Sequence, residues 1–360
     1  MSGGPNLAGG FDDADESVAE ALRREAIGPL QQSHWQTFVR GGLKSRNLIV
    51  TIVAIALFIF FSVATEHFLA ADNLLNILRN LSFVGIVAVG MTYVFIAGEL
   101  DLSVGSVFGF LTVLMGFLVA RNGFDPWIGM LAVVVVGVAI GAMNGAIATG
   151  LNIPSFVVTL GALTAFRSLA LILSGQNPAT TEGIGLFYDV TGGYIGGIFP
   201  WLVIWMAAVM LIGGAILAFT RFGHHVYATG GNRDAARNSG INVNRVKIIC
   251  FMLTSGLCGL IAALIWGYLH VAAPITGTGL EFRVIGAVII GGVALTGGRG
   301  TIYGTLLGAI IVGIITNGLV LLGFSQYFGD VATGFLIVLV GALDMIVQRG
   351  AARGLQYFER

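Results

Sequence analysis

The sequence predicts an all-α polytopic membrane protein of about ten transmembrane helices, some short or broken, and three observations carry that expectation. Apolar runs of about 20 residues recur along the chain, each long enough to cross a bilayer as a helix. Only 10% of the 360 residues are charged and the mean hydropathy is +0.91, whereas soluble domains carry about 25% charged residues. Glycine reaches 54 residues against 7 prolines, with no G-X-Y period. That composition suits helices packed closely through small residues in lipid. The runs do not alternate, as the strands of a transmembrane β-barrel would.

Residues 1–47 are polar and mixed in charge ("FDDADESVAEALRREA") and lack the apolar stretch of a cleavable leader. They read as a cytoplasmic tail with one amphipathic helix over 13–26. The membrane domain follows over 48–347, with spans at 48–65, 81–97, 103–120, 127–149, 155–173, 201–220, 248–269, 283–296, 302–322 and 329–347, then a short tail over 348–360. Ten spans put both ends on one side. Arg23, Arg24, Arg40, Lys44 and Arg46 precede the first span, Arg221, Arg233, Arg237, Arg245 and Lys247 lie in 221–247, and Arg349, Arg353 and Arg360 follow the last. Threading places these three groups together, and the segment 174–200, which has no Lys or Arg, opposite. The positive-inside rule then assigns both termini to the cytoplasm.

The zero net charge offers no basic patch for nucleic acid. Cys250 and Cys258 are the only cysteines and share one apolar run, so neither a disulfide framework nor a zinc site is indicated. No nucleophile–base pair or metal-spaced cluster stands out, and an enzyme, a cofactor or a bound metal finds no support. Lipid is the expected surrounding partner.

Two breaks interrupt the apolar pattern, "AGELDLSVGS" after 81–97 and "GGVALTGGRG" after 283–296. Paired interruptions in the two halves of a transporter mark discontinuous helices around a substrate path. In the first break Glu99 and Asp101 stand two apart among Gly98, Ser103, Gly105 and Ser106. One reading is a polar turn with both acids in water. The other is a helix start capped by Asp101 or Ser103 beside a substrate path, where the helix dipole favours a carboxylate. Arg167, inside "TLGALTAFRSLALIL", either snorkels outward or faces a polar interior, where Glu99 or Asp101 would pair with it. Glu281 and Arg283 read as an exposed ion pair at a membrane edge. The glycines at 291, 292, 297, 298 and 300 do not form a phosphate loop: Gly-x-x-x-x-Gly-Lys-Ser/Thr occurs nowhere, and the only lysines are Lys44 and Lys247.

Within 221–247, "NRDAARNSGI" reads as a short helix that Asn232 caps and Gly240 ends. It is either a solvated loop carrying topogenic charge or a docking helix for a cytoplasmic partner. The small face of Ala235, Ala236 and Ser239 favours docking, with Asn232, Asp234 and Gly240 as its frame.

"GMTYVFIAGELDLSVGS", "NIPSFVVTLGALTAFRS", "GGNRDAARNSGINVNRVKI" and "TGTGLEFRVIGAVIIGGVALTGGRGTIYGTLLGAIIVGIITNGL" together resemble the permease subunit of ribose-type sugar ABC importers. That bacterial family serves ribose, xylose, arabinose, galactose and fructose, and the resemblance runs from about residue 70 to 347. The chain departs from the family in a longer amino-terminal tail and in Glu99, where Gly is common; Asp101 matches the shared Asp. The resemblance implies a subunit of the bacterial inner membrane, itself not an enzyme, that moves a pentose or hexose by alternating access. It implies three kinds of protein partner: a second permease copy or a paralogue, a cytoplasmic ATP-binding subunit (commonly two nucleotide domains fused in one chain) and a periplasmic sugar-binding protein. Residues 232–240 match the family's coupling region. A neutral sugar needs hydroxyl and amide partners, so Ser103, Ser106 and Asn317 join Asp101, Glu99 and Arg167 as candidate path or gating residues. Asp101 is expected to position a helix and to matter more than Glu99. The rival expectation is an ion-coupled secondary sugar transporter in which Asp101, Glu99 and Arg167 form a relay; a membrane receptor or scaffold is a third.

Overall fold

The computed structural model of the chain describes residues 46–183 and 185–358. The chain divides into two compact units, 1–49 and 50–360. The helix expected at 13–26 lies outside the described residues.

The long helices are α1 (Arg46–Ala64), α2 (Ala71–Ile96), α3 (Val104–Gly116, extended by a π turn over Phe117–Arg121), α4 (Pro126–Gly150) and α5 (Ser155–Ser174). The short α6 (Leu186–Thr191) precedes α7 (Trp201–Phe219), α8 (Arg221–Gly231) and α9 (Arg233–Asn238). The chain continues through α10 (Val243–Leu269), α11 (Leu280–Ile290), α12 (Ile302–Leu321) and α13 (Tyr327–Phe358). Among the described residues eight helices are long and apolar enough to cross a membrane, and α13 begins with a further apolar stretch over Tyr327–Ala342. The fold is all-α and polytopic, as the composition requires.

Two expected boundaries are corrected. The run at 81–97 is the second part of a 26-residue helix. Asp72, Asn73, Asn76, Arg79 and Asn80 make its first turns polar and hide them from a hydropathy reading. The run at 283–296 is instead an 11-residue helix, α11, that stops at Gly291, and Gly292 takes φ +92°.

Local chemistry sets the ends of the other helices. Asp125 caps α4 by accepting from the backbone N–H groups of Trp127 and Ile128, with Pro126 in the first turn. Gly175 closes α5 in the left-handed conformation. Thr301 caps α12 through Gly304 N–H.

The centre of the bundle is α10, buried along most of its length against α2, α3 and α4. Its seam with α4 is closed by small residues: a Cβ at Gly141 would overlap the Phe251 carbonyl. Between apolar helices in lipid, close backbone approach of this kind is a main source of cohesion. The outward faces carry Ile52, Ile59, Leu131, Ile172, Ile212 and Phe335, all more than half exposed. A surface of that character needs an apolar solvent.

At one end of the bundle β1 (Ala179–Thr180) pairs antiparallel with β4 (Val271–Ala272), beside a hairpin of β2 (Tyr194–Ile195) and β3 (Phe199–Pro200). The end of α2, the end of α8 and the loop after α11 meet at the other. There Gly298 N–H donates to the Ile96 carbonyl at 2.8 Å, and Tyr227 Oη donates to the Gly300 carbonyl at 2.7 Å. Gly230 lies so close that a Cβ would overlap the Ile96 oxygen, whereas nothing approaches a Cβ at Gly231.

Gly230→Ala is therefore expected to destabilise the purified protein by about 2 kcal/mol, the usual cost of overpacking against fixed backbone. Gly231→Ala is expected to melt within experimental error of the parent. Thermal unfolding in detergent, followed by fluorescence-detected size exclusion, compares the two.

Candidate functional site

Both sequence breaks reach this backbone junction. Gly98 leaves α2 with φ +76°, and the next residues are stitched to the start of α5. Leu100 N–H donates to Ser155 Oγ and Leu102 N–H to Thr159 Oγ1, each at 3.1 Å. This fastening fixes the backbone on either side of Asp101.

Asp101 is fully buried, so the reading of both acids in water does not hold for it. Its Oδ1 accepts from Ser103 N–H at 2.9 Å and Ser103 Oγ–H at 2.6 Å. Burial raises this loop carboxyl above the ordinary range, and the two Ser103 hydrogen bonds oppose that rise. Asn144 Nδ2 donates to Ser103 Oγ at 3.3 Å, and Ser106 Oγ donates to the Ser103 carbonyl at 2.9 Å. Ser103 is the N-cap residue of α3, yet its own side chain makes no cap bond. The capping expectation is refined: Asp101 closes a local side-chain turn one step before the helix.

Glu99 Oε1 lies 2.8 Å from the Arg233 guanidinium on α9 and 2.6 Å from Lys247 Nζ on α10. Arg233 also donates to the Gly98 carbonyl at 2.9 Å. Arg167 pairs with neither acid. It donates instead to the carbonyls of Pro274 and Thr276, at 3.2 and 2.9 Å, and so fastens the loop between β4 and α11. Glu281 and Arg283 do not form the expected exposed pair either. Glu281 is buried against Gly105, while Arg283 donates to both oxygens of Asp330 at 2.8 and 3.3 Å. Two residues apart on a helix, the side chains point about 200° apart and find different partners.

A cavity of about 390 Å³ lies between α2, α11, α12 and the loop at 276–278. Asn80, Thr276, Thr278, Thr316 and Asn317 supply amides and hydroxyls, and Phe83 and Phe108 supply aromatic surface. Asn317 and Asn73 exchange a reciprocal pair of amide hydrogen bonds at 2.8 and 3.1 Å. Of the residues expected along a path, Asn317 is at this cavity, while Ser103 and Ser106 belong to the buried Asp101 network. Sequence reasoning missed Asn80, Thr276, Thr278 and Thr316. The signal available was "TGTG" two residues before an acid in an apolar context, together with Asn80 directly before an apolar run.

A second cavity, of about 520 Å³, opens at the junction and is lined by Glu99, Arg233, Arg237, Lys247, Asn152 and Asn244 among others. Beside it Asn232 Oδ1 caps α9, accepting from Asp234 N–H at 3.1 Å and Ala235 N–H at 2.9 Å. Gly240 follows α9 with φ +81°. The expected small face is divided: Ala235 and Ser239 are exposed, but Ala236 is buried within the chain. Among the described residues no group of three His, Cys, Asp or Glu converges as a metal site would.

The family model described as "Branched-chain amino acid transport system / permease component" matches residues 73–341. The ribose import permease protein of Bacillus subtilis (strain 168) is 38% identical over 289 residues, covering 80% of this chain and 89% of that one. Its counterpart in Escherichia coli (strain K12) is 37% identical over 310 residues, covering 84% and 94%. The xylose transport system permease protein of Haemophilus influenzae is 30% identical over 365 residues, covering 84% and 97%. No solved structure matches the chain. Through the match over 73–341 and relatives alike over nearly their full length, the chain belongs to the family of ABC transport permeases that includes the ribose and xylose import permeases.

Proposed function

We propose that the chain is the permease subunit of a binding-protein-dependent importer of the bacterial inner membrane, with both termini in the cytoplasm, that moves a pentose or hexose by alternating access. The observation that carries the cargo class is the cavity of about 390 Å³, with its amides, hydroxyls and two aromatic faces. It falls within the usual size range of small-molecule sites, and a neutral sugar needs such partners in place of a fixed counter-charge. The names of the ribose and xylose relatives support the same class. ATP chemistry belongs to a cytoplasmic partner with two nucleotide domains, commonly fused, which docks on residues 232–240. A periplasmic sugar-binding protein delivers the cargo, and a second permease copy or a paralogue completes the membrane unit. Specificity resides largely in the binding protein, so a weak site in the permease permits release.

Asp101, Ser103 and Ser106 act in this scheme by holding the start of α3, and Arg167 by holding the loop that forms one cavity wall. The ion-relay alternative fares poorly. Among the described residues Glu99, Asp101 and Arg167 bond to three separate sets of partners.

Affinity purification in gentle detergent, with co-purifying chains identified by mass spectrometry, is expected to recover an ATP-binding subunit in stoichiometric amount. Ala235→Asp should abolish that recovery while leaving the permease monodisperse; equal recovery from the variant would move the docking site elsewhere. In proteoliposomes holding the full importer, Thr278→Val and Thr316→Val are each expected to lower uptake of the cognate pentose or hexose about fivefold, the worth of one hydrogen bond of about 1 kcal/mol. Uptake of leucine in place of sugar by the same vesicles would reverse the cargo assignment.

A further inference from the structure

We infer that Glu99 is a positioning residue that ties the partner-facing helix α9 to the membrane bundle, so that its carboxylate carries part of any movement of α9 to the end of α2. The inference rests on the docking role proposed for residues 232–240. Its own support is geometric. Glu99 Oε1 is shared by two cations from different elements, Arg233 at the first position of α9 and Lys247 near the start of α10. The side chain of Arg233 is 49% exposed, whereas those of Lys247 and Glu99 are 8% and 11% exposed. The cluster thus runs from a solvent-facing cation on the docking helix, through a nearly buried carboxylate, to a nearly buried ammonium. Arg233 adds a hydrogen bond to the Gly98 carbonyl, so it grips both the backbone and the side chain of the break after α2.

Chain geometry makes this bridge consequential. Asn232, the residue before Arg233, takes φ −156°, an extended turn that separates α8 from α9. Beyond α9, Gly240 takes φ +81°. The helix is therefore bounded by non-helical backbone on both sides, and side-chain contacts must set much of its orientation. Exposed ion pairs hold such an orientation weakly. A nearly buried carboxylate bound by two cations holds it better, because little water competes for the carboxylate and Lys247 keeps it in place for Arg233.

A merely structural role is distinguishable. If Glu99 served only to neutralise Lys247, replacing both by uncharged residues of similar volume would restore stability and transport together. The experiment compares the parent, E99Q/K247M and R233Q, each assembled with its ATPase and binding protein in proteoliposomes, and reads sugar moved per ATP hydrolysed alongside the melting temperature of the permease. The expected result is a melting temperature of E99Q/K247M close to the parent's, with sugar moved per ATP lowered about tenfold in both variants, within the usual range of coupling between sites. A parental ratio in E99Q/K247M or in R233Q overturns the inference. Should E99Q/K247M fail to accumulate, R233Q decides alone, since its exposed side chain can be changed without burying a charge. A parent complex that recruits no ATPase, or moves sugar without ATP, instead overturns the proposed function and is recognised before any variant is measured.

Discussion

The arrangement depends on one close backbone contact, the meeting of the Ile96 carbonyl with Gly230 and Gly298 at one end of the bundle. Three segments far apart in sequence have to share a volume with no room for side chains. Glycine is required at Gly230, because any Cβ would strike the Ile96 oxygen, and at Gly297 and Gly298, which take positive φ as well as touching backbone. Once these strands of backbone touch, the end of α2, the approach to α9 and the turn after α11 cannot move independently. The polar residues around them, Glu99, Arg233 and Tyr227, follow the same logic by bonding across the junction rather than to their own elements.

Elsewhere several polar groups within the bundle bond locally or across one helix contact. Thr92 bonds back to the Ala88 carbonyl and across to Thr305 at 2.7 Å, and Tyr93 Oη donates to the Gly213 carbonyl at 2.5 Å. In a medium without water each such group must find protein as its partner. Arg167 illustrates the principle best: a guanidinium with several donors is well matched to a loop whose carbonyls lack helical partners, and it folds that loop against α3.

The composition and the length of the apolar runs were sufficient to read the class of fold and the approximate number of spans. They misjudged α2 and α11 for one reason, since hydropathy reports the burial of side chains and not hydrogen bonding along the backbone. Asn73, Asn76, Arg79 and Asn80 are helical despite their polarity, while Val293 and Ala294 are apolar and lie in a turn. The motifs announced that the first break mattered. They did not show that its two carboxylates bond to different partners, nor that the backbone around Asp101 is held by the hydroxyls of Ser155 and Thr159, at sequence separations of 55 and 57. Glu99 was undervalued because its partners, Arg233 and Lys247, looked like topogenic charge. Spacing along a chain carries no information about a contact made across 134 residues.

The cavity and the junction are joined by helices, not loops. Asn80 lines the cavity and Ile96 ends at the junction, 16 residues apart on α2, which corresponds to about 24 Å of rise at 1.5 Å per residue. The helix α11 makes the same connection, with Leu280 and Arg283 at the cavity and Gly291 at the turn leading to Gly298. The two helices pack on one another, so in the proposed alternating-access cycle a displacement at the junction would be carried along both. Two rods that share one fixed end can change the cavity only by changing the angle between them. In that proposed cycle the compliance falls in the segments that end in glycine, Gly98 for α2 and Gly291–Gly292 for α11, where both sequence breaks lie.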